Sequence, residues 1–146
     1  MPRQDLCARA LRFSAAILAL NRRLVPKKER FGPALNQLVR AATSIGANVE
    51  EAQVANSRRD MGAKYAIALP EAREARYWLR VIATDPSLGE DLTPLIGEAT
   101  EWIAMLTTTV KKLRGSDPLA LPPFPLSPLR PFALCPVPCT LIALEP

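Results

Sequence analysis

The stretch Arg40-Ala-Ala-Thr-Ser-Ile-Gly-Ala-Asn-Val-Glu-Glu-Ala-Gln53 decides the fold. In it Ala42, Ile45, Val49 and Ala52 recur at spacings of 3, 4 and 3, and Leu35 and Leu38 extend the stripe backward in the same rhythm. That alternation puts the apolar residues on one side of a helix, whereas a half-buried strand needs a period of two. The rhythm returns three more times. Leu6, Ala10, Phe13, Ile17, Leu20 and Leu24 precede it. Met61, Tyr65, Ala68, Ala72, Ala75, Leu79 and Ile82 follow, and then Leu92, Ile96, Ala99, Ile103, Leu106, Val110 and Leu113. A mean spacing near 3.5 residues belongs to helices that cross at shallow angles. The pattern therefore predicts an all-α fold, an antiparallel up-down four-helix bundle.

Stop signals separate the stripes. Pro26 to Gly32 predicts the first turn, with Pro33 in the first helical turn of the second helix. Ser57-Arg58-Arg59-Asp60 breaks the second stripe from the third, with Asp60 as the expected N-cap. Asp85-Pro86-Ser87-Leu88-Gly89 ends the third helix, and Pro94 lies near the start of the fourth. Lys111, Lys112 and Arg114 occupy the last turn of the fourth helix, where cations oppose the helix dipole, and Gly115 follows as a stop. Pro70 falls inside the third stripe. An interior proline costs about 3 kcal/mol or kinks a helix. Because the stripe continues on both sides, the expectation is one kinked helix.

The chain has 146 residues, a single domain's worth, but its composition changes abruptly. Residues 1–115 hold six prolines and 30 charged residues, while 116–146 hold nine prolines and three charges. The bundle is accordingly assigned to 1–115 and a disordered, Pro-rich apolar tail to 116–146. Within the tail, Pro122, Pro125, Pro128 and Pro131 repeat every three residues, the period of a polyproline II helix and of ligands for SH3-like grooves. Cys135 and Cys139 have no second ligand pair to make a metal site. There is no histidine, which removes imidazole acid–base chemistry and histidine-containing triads. No phosphate-cradling glycine pattern is present either. The expectation is a protein without catalysis and without a cofactor. An odd cysteine count, Cys7 being the third, and the lack of a leader-like segment point to a reducing, cytoplasmic setting. The apolar run at 13–20 is far shorter than the ~20 residues that span a membrane, so no membrane partner is expected.

The segment at 40–53, together with Ser57-Arg58-Arg59-Asp60 and Ile67-Ala-Leu-Pro-Glu-Ala-Arg-Glu-Ala-Arg-Tyr-Trp-Leu-Arg80, resembles the bacterial four-helix-bundle proteins named after 23S rRNA intervening sequences. These are related to the accessory proteins of diversity-generating retroelements. The resemblance covers roughly residues 5–114. It departs at Met61-Gly62, where an aromatic and then an aliphatic residue are usual, and at Pro70, and the tail has no counterpart. It implies an up-down bundle that assembles into a ring, commonly a homopentamer. It implies no known reaction. It also implies association with RNA or DNA, or with a protein such as a reverse transcriptase.

Glu50, Glu51, Glu71 and Glu74 stand at the acidic positions that match this family. Paired carboxylates can hold a metal or move protons. Bundle di-iron sites, however, use Glu-x-x-His motifs that this chain lacks. Ion pairs of Glu71 and Glu74 with Arg73, Arg76 and Arg80, within one subunit or between subunits, are the expected use. Asn48, one step from Val49, is expected to be part-buried and to specify the bundle through a polar contact. Trp78, beside the Ala75 and Leu79 stripe, is expected in the core or at a subunit interface. Glu51 and Glu71 are assigned structural or oligomer roles with them. Most functional content lies in the basic residues: residues 1–64 carry a net +7 and residues 65–115 a net −1. Arg22, Arg23, Lys27, Lys28 and Arg30 gather at the end of the first helix and in the following loop, and Arg58 and Arg59 close the second. In an up-down bundle these are two clusters at opposite ends. In a ring each repeats around the axis and makes a positive rim for phosphates.

Overall fold

The computed structural model describes residues 3–24, 26 and 28–115. The tail expectations and Lys27 lie outside the described residues. Four helices follow one another: α1 (Arg3–Leu24), α2 (Lys28–Gln53), α3 (Arg58–Ala83) and α4 (Thr93–Arg114). Among the described residues there is no strand, and no helix is long and apolar enough to cross a membrane.

Cross-helix contacts give the helix directions. The Ser14 hydroxyl of α1 donates to the Ala42 carbonyl of α2 at 3.1 Å. Gly46 lies close by, and a β-carbon there would sit 3.2 Å from Ser14 Oγ, so glycine lets α1 and α2 approach. Arg40, in the first half of α2, reaches Glu74 in the second half of α3. Gln53, the last residue of α2, donates to Tyr65 near the start of α3 at 2.8 Å. Helices α2 and α3 therefore run antiparallel. Gly62 near the start of α3 faces Leu113 near the end of α4. Arg23 at the end of α1 pairs with Glu90 just before α4, while Arg9 in the first half of α1 contacts Glu98 and Met105. The chain goes up, down, up and down, and α4 returns beside α1.

The apolar stripes meet along the axis. Phe13, Ile17, Leu20, Leu35, Leu38, Ile45, Val49, Leu79 and Leu106 are buried, as their spacing predicts. On α4 the stripe holds at Leu92, Ala99, Leu106 and Val110, and departs at one turn, where Trp102 takes the place expected for Ile103. Trp102 is fully buried, while Ile96 and Ile103 are only partly so. A large ring placed inward removes more apolar surface from water than isoleucine does.

The helix ends correct two expectations. The N-cap of α3 is Ser57, whose Oγ accepts the Asp60 amide at 3.0 Å, so Asp60 sits in the first turn instead of capping it. Helix α2 begins at Lys28, because burial of Phe31 draws the start of the helix onto the core, and Pro33 stands inside the helix on its exposed side. Helix α3 continues through Pro70, as the stripe on both sides of it predicts, and Pro70 is exposed. Between α3 and α4, Asp85 Oδ1 accepts from the Ser87 amide and hydroxyl, and buried Leu88 pins the connection. Gly89 takes φ +72°, a left-handed conformation that favours glycine.

Candidate nucleic-acid interface

The end of the bundle formed by the close of α1 and the start of α2 holds Arg22 and Arg23, both exposed. Lys28 is the first residue of α2. Arg23 is already engaged. Its Nε lies 3.1 Å from both Glu90 oxygens and its Nη2 lies 2.9 Å from Oε2. The hydrogen bond to Glu90 raises its affinity for its proton. Asp85 and Asp91 share this end, so its charge is mixed.

At the opposite end Arg58 and Arg59 open α3, both exposed. The antiparallel run of α4 brings its last turn there, with Lys111, Lys112 and Arg114 exposed. Sequence reasoning assigned this trio only to the helix dipole. The topology that joins them to Arg58 and Arg59 was already implied by four antiparallel stripes. Among the described residues, Arg58, Arg59, Lys111 and Arg114 have no ion-pair partner within 4 Å.

The four carboxylates at family-matching positions fall in three places. Glu50 is exposed and adjoins Cys7 of α1, whose thiol is pushed up from its ordinary value by burial first and by Glu50 second. Glu51 pairs with Lys64 of α3. Glu71 and Glu74 face α2, where Arg40 Nη2 donates to both Glu74 oxygens at 2.8 and 2.7 Å and Nη1 lies 3.7 Å from Glu71. The expected pairing of Glu71 and Glu74 with arginines of α3 itself is thus replaced by pairing with Arg40. Among the described residues no three acidic or cysteine side chains gather as metal ligands would.

Asn48 is half-buried, and its amide donates to the Ser44 carbonyl and hydroxyl within α2, so its bond is local and not between helices. Trp78 is half-buried against the core, and its Nε1 donates to Glu74 Oε1 at 3.2 Å. Its ring meets that of Tyr77 edge-on, with centroids 5.0 Å apart.

A groove of about 440 Å³ runs between α1 and α4, lined by Arg9, Arg12, Phe13, Ala16, Leu95 and Glu98. Arg9 bridges it with two bonds to Glu98, at 2.7 and 2.8 Å, and its guanidinium lies 5.8 Å from the Trp102 ring centroid. Such a bidentate pair, stacked on a ring, is a clamp that joins the two outer helices.

Residues 3–108 match the family model described as 23S rRNA-intervening sequence protein. Among solved structures, the chain is similar to a protein of unknown function from the S23 ribosomal protein family of Bacteroides thetaiotaomicron. The two are 34% identical with a TM-score of 0.67, over 76% of this chain and 99% of that one. No curated protein matches.

Proposed function

Because the chain belongs to the 23S rRNA-intervening sequence protein family, we propose that it is a non-catalytic cytoplasmic scaffold, a ring of identical subunits, five being the expected number. In this reading the ring holds RNA or DNA, or an enzyme that works on one such as a reverse transcriptase, against its basic surfaces. The observation that carries the proposal is the end of the bundle where Arg58 and Arg59 join Lys111 and Arg114, with no carboxylate partner among the described residues. Unpaired cations repeated around a ring release counterions when they meet phosphates, which drives binding without sequence preference. Absence of catalysis is supported by where the carboxylates are committed. Glu51, Glu74, Glu90 and Glu98 are each held by a cation.

Ring assembly is supported by exposed apolar side chains on two different helices. Leu11 and Leu18 are exposed on α1, and Ile67 and Val81 are exposed on α3. A head-to-tail ring needs two different surfaces, whereas a two-fold dimer needs one. The same side chains favour the second reading, a structural oligomer that binds a protein partner and no nucleic acid.

Titration of the full chain into labelled RNA and DNA at low and near-physiological salt, followed by anisotropy, tests the choice. The expected result is a steep loss of affinity with salt. R58E/R59E should weaken binding more than R22E/R23E, because Arg23 is already neutralised by Glu90. Each lost phosphate contact should flatten the salt slope by about 0.7–0.9. Light scattering should give the same ring mass for both variants. No binding at low salt would leave the protein-partner reading.

A further inference from the structure

Charge is distributed unevenly around α3. Its own carboxylates Glu71 and Glu74 face α2 and Arg40, and Asp60 lies near Lys64. On α4, Glu98 is bound to Arg9, and the charge of Glu101 also reaches Arg9, so both face α1. The outer side of α3 toward α4 is left with Arg73, Arg76 and Arg80. Among the described residues none of the three has an ion-pair or hydrogen-bond partner. In their midst stands Tyr77, 58% exposed. Arg73 precedes it by four residues and Arg80 follows it by three, so the three side chains share one helix face. From Arg73 to Arg80 the helix rises about 10 Å.

We propose that Tyr77, framed by Arg73, Arg76 and Arg80, is a stacking platform for a base of a single-stranded nucleic acid. The inference rests on the nucleic-acid reading above and deepens it from charge alone to the kind of strand bound. An exposed ring beside unpaired cations is the chemistry that single strands require, because bases stack on the ring while arginines follow the phosphates. A duplex offers phosphates but keeps its bases stacked on one another, so it has no use for Tyr77. The ring is also held in place. The edge-on contact with Trp78 buttresses it. Trp78 is tied by its Nε1 to Glu74, and Glu74 is held by both bonds from Arg40. Helix α2 thus braces the tyrosine through three side chains, and little ordering is left for the ligand to impose.

Anisotropy with the full chain, a fluorescein-labelled 20-nucleotide oligothymidylate and a 20-base-pair duplex tests this. Tyr77→Ala should weaken single-strand binding by roughly 5- to 100-fold and leave duplex binding within about twofold. Tyr77→Phe should bind as the wild type does. R73A/R76A/R80A should flatten the single-strand salt slope by about 2. Emission of Trp78, against the background of buried Trp102, should be quenched by the oligothymidylate in the wild type and not in Tyr77→Ala. If the wild type binds either probe and Tyr77→Ala binds the single strand equally well, the platform is wrong while the nucleic-acid reading stands. If the wild type binds neither probe at low salt, both are wrong. If Tyr77→Ala changes the oligomer mass measured by light scattering, Tyr77 is a subunit contact and the platform is wrong.

Discussion

The two flanks of α3 do different work. On the α2 flank Arg40 holds Glu74, Lys64 pairs with Glu51, and Tyr65 accepts from Gln53. On the α4 flank Arg73, Arg76 and Arg80 have no ion-pair partner among the described residues. Ala68 and Ala75 lie three residues before and four after Glu71, so they lean toward α2, and both are fully buried. Ala66 shares a strip with Arg73 and Arg80 at sevenfold spacing and is only partly buried. The contrast teaches that one helix can devote a side to closing the fold and leave the other free of internal obligations. Function is then sought where charge is unspent, and stability where it is matched.

The sharpest way to break this contrast is the same substitution on each flank. Ala75→Leu forces extra methylenes into a sealed seam and should destabilise by about 1–3 kcal/mol. For a bundle of this size, melting should fall by roughly 4–8 °C for each kcal/mol. Ala66→Leu should stay within about 0.5 kcal/mol of the wild type. Thermal melts by circular dichroism compare them. Equal losses would mean that the two seams are packed alike.

Arginine removal gives a smaller effect and separates charge from packing. Arg40→Ala leaves Glu74 without its cation and Glu71, whose Oε2 already lacks a partner among the described residues, more isolated. Its melting temperature should fall, though by less than that of Ala75→Leu. Trp78 emission should shift red as Glu74 loosens. Arg73→Ala should leave melting and emission unchanged and lower only affinity for nucleic acid. A fall in melting for Arg73→Ala would mean that the α4 flank carries structural charge after all.

Much of this was legible in the sequence because apolar spacing is a local property. The four stripes and the opposed ends follow from it, while the breaks read from stop signals at 57–60 and 85–89 overlap the connections at 54–57 and 84–92 only in part. What escaped depends on partners distant in the chain. No arginine of α3 stands three or four residues from Glu71 or Glu74, so spacing itself disfavours pairing along that helix, and nothing local in the sequence names Arg40 on another helix as the partner. Trp102 was missed because Ile103 satisfies the 3–4 rhythm equally well, and only the volume available in the core selects the ring. The cap went to Asp60 because aspartate and serine are both good N-caps, and the choice turns on where the first core residue falls. The basic end was half found. Lys111 and Arg114 had a sufficient local explanation in the helix dipole, and it concealed their position beside Arg58.

The smallest expected effect concerns the joint between the two flanks, where the chain leaves α3 and enters α4. Leu92 occupies the N-cap of α4 and has no side-chain acceptor. Asp91 serves instead, with its Oδ1 accepting the Thr93 amide at 2.9 Å. Hydrogen bonds from the Thr93 side chain, and then from its backbone, hold the Asp91 carboxyl below the usual aspartate range. The sign follows. A group with a lower value in the folded state binds fewer protons there than in the unfolded chain. Its contribution is therefore complete above the unfolded value and is lost as pH falls through the folded one. Melting measured from neutral pH down through about pH 4 and below should show this loss. Asp91→Asn keeps an acceptor oxygen but not the charge. Its melting temperature should be slightly lower at neutral pH and should depend less on acid than that of the wild type. Arg73→Ala, on the α4 flank, should follow the wild-type acid profile. Parallel profiles for Asp91→Asn and the wild type would show that the Asp91 charge adds nothing to the entry of α4, which Leu88 and Leu92 packing would then hold.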